Sequence, residues 1–319
     1  MKLNLSIILA SLLLCVVCIS TANSQRLPKF SDWAPVEHLP PPINSVYDDQ
    51  AAVLSKDENT MYFSSNRPGS IQGSKDIWVS TRKSKNSRWG TPRNLGPTIN
   101  SSGTELVRSL TTDGRFLLFQ SDRAGGNGSA DIWVIARKHI NDELGWGEPV
   151  NLGSVINTQY QELASNYLFA DSGRMRKLFF SSNKPGGFGG PDIYESEITD
   201  QGFATSVNVL ELNSSSVETC FWIRDDGLEI VFSSNRPDLS EDRTFDDLWT
   251  SRRGSVFEPW SAPARLGPNV NASGYQDVAP FVTADGRTML MSSKRPGGLG
   301  SGTFDIYITS REKKTDRSE

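Results

Sequence analysis

The sequence predicts an all-β protein, a five-bladed β-propeller of four-stranded antiparallel blades closed by the N-terminal strand on the last blade. Three observations predict it. One segment recurs five times at near-constant spacing, each period holds four short strand signals without helical periodicity, and the N-terminus supplies what the last repeat lacks.

The recurring segment is an aromatic or Met residue followed by a Ser-Ser-Asn-Arg-Pro-Gly-like run, and then by Asp, an aliphatic residue and an aromatic one. Phe63-Ser64-Ser65-Asn66-Arg67-Pro68-Gly69 precedes Asp76-Ile77-Trp78, and Phe119 to Arg123 precedes Asp131-Ile132-Trp133. Phe180 to Gly186 precedes Asp192-Ile193-Tyr194, Phe232 to Pro237 precedes Asp247-Leu248-Trp249, and Met291 to Gly297 precedes Asp305-Ile306-Tyr307. The Asp residues are 55, 61, 55 and 58 apart, a period near 57. A sandwich of roughly twenty strands would not explain that period.

Residues 103–153 serve as the model unit. Glu105 to Leu110 is a short strand, and Thr112-Asp113-Gly114 is a tight turn, since Asp-Gly suits a hairpin with positive φ. Arg115 to Ser121 is an apolar strand, Asp122 to Ala130 a Gly-rich loop, and Asp131 to Arg137 a third strand. The stretch Trp146 to Leu152 ends the unit, and its Pro149 suits an edge strand, where no ladder donor is needed. The last unit stops after Asp305 to Arg311 without a Trp-x-x-Pro strand, while Asp32 to Leu39 reads as an orphan fourth strand. Placed on the last blade, it leaves no edge unpaired. The fourth unit is irregular, with Gly202-Phe203 where others carry Trp and Pro237 to Asp242 where others carry Pro-Gly-Gly.

The segments F-S-S-N-R-P-G-G-x-G-x-x-D-I-[WY] and x-D-G-x-x-L-x-F, with an Asn-x(4)-Glu segment before each first strand, resemble the WD-like β-propeller repeats of TolB and OmpA-associated envelope proteins. The resemblance covers nearly all of the chain after the leader and implies the propeller fold. It leaves function open, because that superfamily mixes scaffolds, receptors and enzymes. Departing from the relatives, the sequence shows no OmpA-like peptidoglycan-binding domain after the repeats and no TolB-type domain before them.

Lys2, the apolar run Ile7 to Ile19 and the small residues of Ala22-Asn23-Ser24 read as a signal peptide over residues 1–24, cleaved near Ser24. The run is shorter than the roughly 20 residues that span a bilayer. Leu14 and Val17 stand where a lipoprotein signal carries a small residue before its cysteine, against an anchor on Cys15 or Cys18. The expected organisation is therefore a leader, a propeller over residues 25–314 and a polar tail at 315–319. A secreted or periplasmic monomer without a transmembrane span is expected.

Thirty-three bases against 37 acids give a net charge of −4, which argues against a nucleic-acid partner. Two histidines, His38 and His139, and no metal or phosphate motif leave no metal or cofactor expected. After cleavage Cys220 is alone and reads as a small buried hydrophobe. Asn100, Asn127, Asn213 and Asn271 lie in N-x-[ST] sequons.

The candidate site follows from antiparallel geometry, which places the loop entering the first strand beside the loop joining strands two and three. The first loop carries a carboxylate five residues after a repeated Asn, at Asp49, Glu105, Glu162 and Glu218, with Gln276 followed by Asp277 in the last unit. The second carries Arg67, Arg123, Lys184, Arg236 and Arg295. These ten residues are the ligand-binding candidates, as a polar central mouth for a charged ligand, sugar or cation. The structural alternative is stitching, since a feature present in every blade is what makes a blade. Trp33, Trp89, Trp146 and Trp260 read as packing between blades, and the Asp before each Ile-aromatic pair as a cap on the Gly-rich loop. Symmetry-breaking leads are Gln276-Asp277, the loop Asp238 to Asp246 and the basic turn Gly173 to Lys177.

Two functions are expected. One is an interaction module that binds an envelope or extracellular protein, or an oligosaccharide, on one propeller face. The alternative is a carbohydrate-active enzyme, a glycoside hydrolase or polysaccharide lyase, using carboxylates at the central mouth. A weaker third idea is calcium-dependent structure.

Overall fold

The computed structural model describes residues 29–71, 74–137, 139–170, 175–237 and 245–314. The expected leader and tail, residues 238–244 of the blade-four loop and residues 173–174 of the basic turn lie outside the described residues.

A short N-terminal strand, β1 (Glu37–His38), precedes the blades. Blade one is β2 (Asp49–Leu54), β3 (Thr60–Ser65), β4 (Asp76–Thr81) and β5 (Arg93–Asn94). Blade two is β6 (Glu105–Leu110), β7 (Phe116–Ser121), β8 (Asp131–Ala136) and β9 (Val150–Asn151). Blade three is β10 (Glu162–Ala170), β11 (Met175–Ser182), β12 (Asp192–Thr199), β13 (Gly202–Phe203) and β14 (Val207–Asn208). Blade four is β15 (Glu218–Ile223), β16 (Glu229–Ser234), β17 (Asp247–Arg252) and β18 (Ala264–Arg265). Blade five is β19 (Asp277–Val282), β20 (Thr288–Ser293) and β21 (Asp305–Ser310), completed by β1. The fold is a five-bladed β-propeller, as the repeat predicts.

Two details correct the sequence reading. Gly202-Phe203 belongs to blade three, because the outer strand follows the third strand of its own blade. Blade three also has five strands, since β13 and β14 pair with different parts of the long β12.

The middle strands are buried almost throughout, on both faces, because each blade is covered by its two neighbours. The core is accordingly a set of layers between blades. Tyr62, Ile77 and Val79 of blade one meet Leu117, Phe119 and Trp133 of blade two, and Leu118 and Ile132 of blade two meet Leu178 and Phe180 of blade three. The ring closes where Leu290 and Ile306 of blade five meet Met61, Phe63 and Trp78 of blade one.

Each innermost strand shifts register once, at Gln50/Val53, Val107/Ser109, Glu162/Ser165, Thr219/Phe221 and Val278/Phe281. Such bulges increase local twist. Ala51, Cys220 and Ala279 take positive φ there, at 56°, 41° and 52°.

The closure matches expectation. Glu37 pairs with Ile308 and His38 with Tyr307. Trp33, 6% exposed, occupies the fourth-strand tryptophan position beneath the Arg311 guanidinium, at 4.3 Å. Arg82 over Trp89, Arg137 over Trp146 and Arg253 over Trp260 repeat that stack at 4.3, 4.6 and 4.1 Å. In blade three the apolar pair Ile198 and Phe203 stands in its place.

Candidate functional site

The register explains where the repeated acids go. Each first-strand carboxylate faces the last serine of the second strand, which faces the Asp that starts the third, as in Asp49–Ser65–Asp76 and Glu105–Ser121–Asp131. The third-strand Asp caps the Gly-rich loop. Asp131 accepts from the backbone N–H of Asn127 and Gly128 at 2.6 and 3.0 Å, and Asp192 from that of Phe188 at 2.8 Å. A fourth-strand residue completes it: Asn94, Asn151, Asn208, Arg265 or, in blade five, His38 at 2.7 Å from Asp305.

The repeated Asn of the Asn-x(4)-Glu segment pins the neighbouring third strand. Asn157 accepts from the N–H of Ile132 and donates to its carbonyl, both at 2.9 Å, and Asn44, Asn100, Asn213 and Asn271 do the same to Ile306, Ile77, Ile193 and Leu248. Three sequon asparagines are thereby engaged in strand pinning, whereas Asn127 is exposed.

The five first-strand carboxylates, Asp49, Glu105, Glu162, Glu218 and Asp277, are each 0% exposed. Four of them hold the base of their own blade, in the pairs Asp49–Arg67 at 2.5 Å, Glu105–Arg123 at 3.0 Å, Glu218–Arg236 at 2.9 Å and Asp277–Arg295 at 2.6 Å. The same arginines donate to loop carbonyls of Ile43, Ile99, Leu212 and Val270. Each loop into a first strand is thus tied to the loop after the second strand. Asp277 occupies the carboxylate position although its loop is one residue longer, and Gln276 lies beside Asp246.

Blade three departs. Lys184 donates to Ser206 and lies 4.1 Å over the Tyr194 ring, and burial lowers its pKa. Glu162 is held by Thr158 and Ser182, and burial raises its carboxyl pKa. Two basic residues of the blade-three turn are engaged, Arg176 with Asp200 at 3.3 Å and Lys177 with Glu195.

The axis is plugged. The space among Ala51, Val107, Ala164, Cys220 and Ala279 is about 10 Å³, too small for a ligand, and Arg108 crosses it to donate to Cys220 Sγ at 3.2 Å and to Gln120. Cys220 is half-buried at the axis, where the sequence suggests a buried hydrophobe.

The mouth that remains lies at the other end, among the turns joining first and second strands. These turns share an Asp that caps them: Asp57 accepts from Ser55 and Asn59, Asp113 from Thr111 and Arg115, Asp226 from Arg224 and Leu228, and Asp285 from Thr283 and Arg287. The residue before that Asp varies, as Lys56, Thr112, Asp225 and Ala284, and all four line a dish of about 70 Å³. The variation inside a repeated turn is the sequence signal that reasoning from the repeated charges missed.

Leu54, Leu110, Trp222, Ile223, Phe281 and Val282 supply apolar lining to the dish, with Ser109, Asn166 and Tyr167 among them. The Ser109 hydroxyl is buried without a hydrogen-bond partner, and burial pushes Tyr167 up to about 12. Asp225 keeps surface open to solvent, but the packing around its carboxyl raises its pKa, against a hydrogen bond with Thr112 across the mouth and the charge of Lys56. Among the described residues no group of three or more His, Cys, Asp and Glu could hold a metal ion, and no helix is long and apolar enough to cross a membrane.

No protein-family model matches the chain, and no curated protein matches it. Solved structures share its fold. A structure described as a BT0996 complex with RGII aligns with a TM-score of 0.57 at 11% identity, over 91% of this protein and 94% of that one. The α-L-arabinofuranosidase PaAbf62A from Podospora anserina, in complex with cellotriose, aligns at 0.54 and 12% identity, over 90% and 98%. A putative TolB from Agrobacterium tumefaciens aligns less closely, at 0.46 and 11% identity over 88% and 99%. The likeness is one of fold.

Proposed function

We propose that the protein is an exported carbohydrate-recognising propeller that takes the end of a glycan chain at the axial mouth of the first hairpin turns. The observation that carries this reading is the lining of the dish, where the aromatic and apolar groups of Trp222, Phe281 and Tyr167 stand beside the polar groups of Ser109, Thr112 and Asp225. A sugar ring has the same two-sided chemistry, with C–H faces that pack on aromatic rings and hydroxyls that need hydrogen-bond partners. A volume of about 70 Å³ lies well below the roughly 300–1,000 Å³ of an engulfing ligand pocket, so the dish suits a chain end rather than a whole oligosaccharide. Support comes also from propellers of this fold described in complex with cellotriose and with RGII.

A second reading, glycoside hydrolysis, is favoured by Asp225, whose raised pKa suits a general acid. It requires a second carboxyl across the cleft. Glu58, the other carboxyl of the dish, is held by Lys85 at 2.7 Å.

Titration calorimetry with xylotriose, cellotriose and arabinotriose, alongside a reducing-end assay, tests both readings. Binding weakened at least about fivefold by Asp225→Asn supports the mouth as the site, and release of new reducing ends abolished by the same change supports hydrolysis. Binding that survives Asp225→Asn unchanged places the sugar elsewhere, and no binding either of these neutral sugars or of an acidic oligosaccharide refutes the proposal.

A further inference from the structure

We infer that the glycan is an acidic one, bearing sugar carboxylates, and that its chain leaves the mouth along the groove between blades one and two. This rests on reading the mouth as a glycan site.

The groove lies on the same face as the mouth and holds about 900 Å³, enough for several sugar units. The two spaces adjoin, since Ser55, Lys56 and Thr112 line both. The remaining walls come from blade one between Asn59 and Arg82, from the blade-two turn at Asp113 to Arg115, and from Arg137, the stretch His139 to Asn141 and Glu143.

Charge separates the groove from the rest of the molecule. The whole protein carries −4, yet the groove gathers Lys56, Arg82, Arg115 and Arg137 against Asp57, Asp113 and Glu143, with His139 beside them. The acids are largely spent on local structure. Asp57 accepts from the Ser55 hydroxyl at 2.5 Å and from the Asn59 backbone and side chain, both at 3.1 Å. Asp113 accepts from the Thr111 hydroxyl at 2.6 Å and the Arg115 N–H at 3.0 Å, and Glu143 lies 3.7 Å from Arg93.

The cations are placed differently. Arg82, half-buried, lies over Trp89 with its Nε bonded to the Glu58 carbonyl at 2.9 Å, whereas Arg137, 7% exposed, lies over Trp146 with its Nε on the Gly114 carbonyl at 2.7 Å and its Nη1 on the Tyr62 hydroxyl at 2.9 Å and the Asp142 carbonyl at 3.3 Å, so Arg82 is the held guanidinium with more surface towards the groove. Ring stacking and a carbonyl hold both guanidinium planes, which lowers the ordering cost of binding an anion. Lys56 and Arg115 are exposed at the edge, Arg115 at 4.0 Å from the Asp113 carboxylate. A held guanidinium between exposed cations suits a chain with a carboxylate on successive sugars, because each carboxylate can accept a charge-assisted hydrogen bond without leaving water entirely.

The test compares tetragalacturonic acid with its fully methyl-esterified form, the same backbone without charge, by titration calorimetry at pH 7 in low and high salt. A four-residue thymidylate serves as an anion of another class. The variants are Arg115→Gln, on an exposed side chain, and Arg82→Gln with Arg115→Gln, neither residue lying in the mouth. The wild type should bind the acid roughly tenfold more tightly than the ester, and salt should erode that preference. Arg115→Gln should lower it a few-fold and the double variant should abolish it. Equal affinity for acid and ester, a preference unchanged by Arg115→Gln, or thymidylate binding as tightly as the acid would overturn the inference. If acid and ester bind alike and Asp225→Asn weakens both, the mouth still binds glycans and only the acidic-chain inference falls. If neither form nor the neutral trisaccharides bind, both fall.

Discussion

Replacing Glu229 with Gln should destabilise the fold by about 3 kcal/mol at pH 7, and the effect should fade in acid. The Glu229 carboxylate, on β16 of blade four, is 1% exposed and meets three arginines. Arg311, at the end of blade five, donates to both oxygens at 3.0 and 2.8 Å, Arg252 donates at 2.8 and 3.1 Å, and Arg224 at 3.2 Å. Burial alone would raise the carboxyl, but the hydrogen bonds and charge of Arg311, with those of Arg252, hold it at about 2 against an ordinary 4.5. That lowering corresponds to about 3 kcal/mol. Removing one partner of a buried ion pair typically costs about 3–5 kcal/mol, so the two routes agree. Because the folded pKa is depressed, the contribution is complete above the unfolded value of 4.5 and is lost as pH falls towards 2. Gln keeps the shape and removes the charge. Urea unfolding of wild type and variant at pH 7, 5 and 3 reads the difference directly, and the gap should shrink to less than half by pH 3. A gap that stays constant with pH would refute the electrostatic reasoning. A gap below about 1 kcal/mol at pH 7 would show that the arginines find water or other partners without strain.

Lys184→Arg should stabilise the protein by about 1 kcal/mol at pH 7, by giving Glu162 the guanidinium that the other blades use. Since burial raises the Glu162 carboxyl, its ionisation penalises folding only as pH rises above the ordinary carboxylate range, so the gain should vanish near pH 4; equal gains at both pH values would contradict this. Asn157→Ala should cost about 1–3 kcal/mol, because it strands the buried N–H of Ile132 and leaves its carbonyl only the Leu152 N–H at 3.3 Å, and amide exchange at Ile132 should accelerate well beyond that at Ile77. His38→Ala should loosen the closure, with faster exchange in β21 and little change in blade two; uniform acceleration around the ring would show that the bond to Asp305 does not act locally.

Blade number, strand order and ring closure were legible in the sequence because every unit must meet the same local demands. A turn needs its Asp, a Gly-rich loop needs the Asp that caps it, and four of the five blades seat a fourth-strand tryptophan under an arginine, so these residues recur at the repeat spacing. Trp33 shows the strength of that signal, since its place in an orphan strand foretold its seat beneath Arg311. The same regularity hid the candidate site. The repeated acids and bases invite a reading as a ligand ring, but serines, loop carbonyls and neighbouring strands draw them inward, and only packing shows that Asp49 and Glu105 are fully enclosed. The dish is built from residues that do not repeat, including Lys56, Thr112, Tyr167, Asp225 and Ala284, one from each blade. Their meeting is a property of ring closure, which brings distant turns to one axis, and no spacing along the sequence encodes it. The sequence by itself therefore determined the blade and the number of blades, while the tertiary structure decided which end of the axis is sealed and which is open.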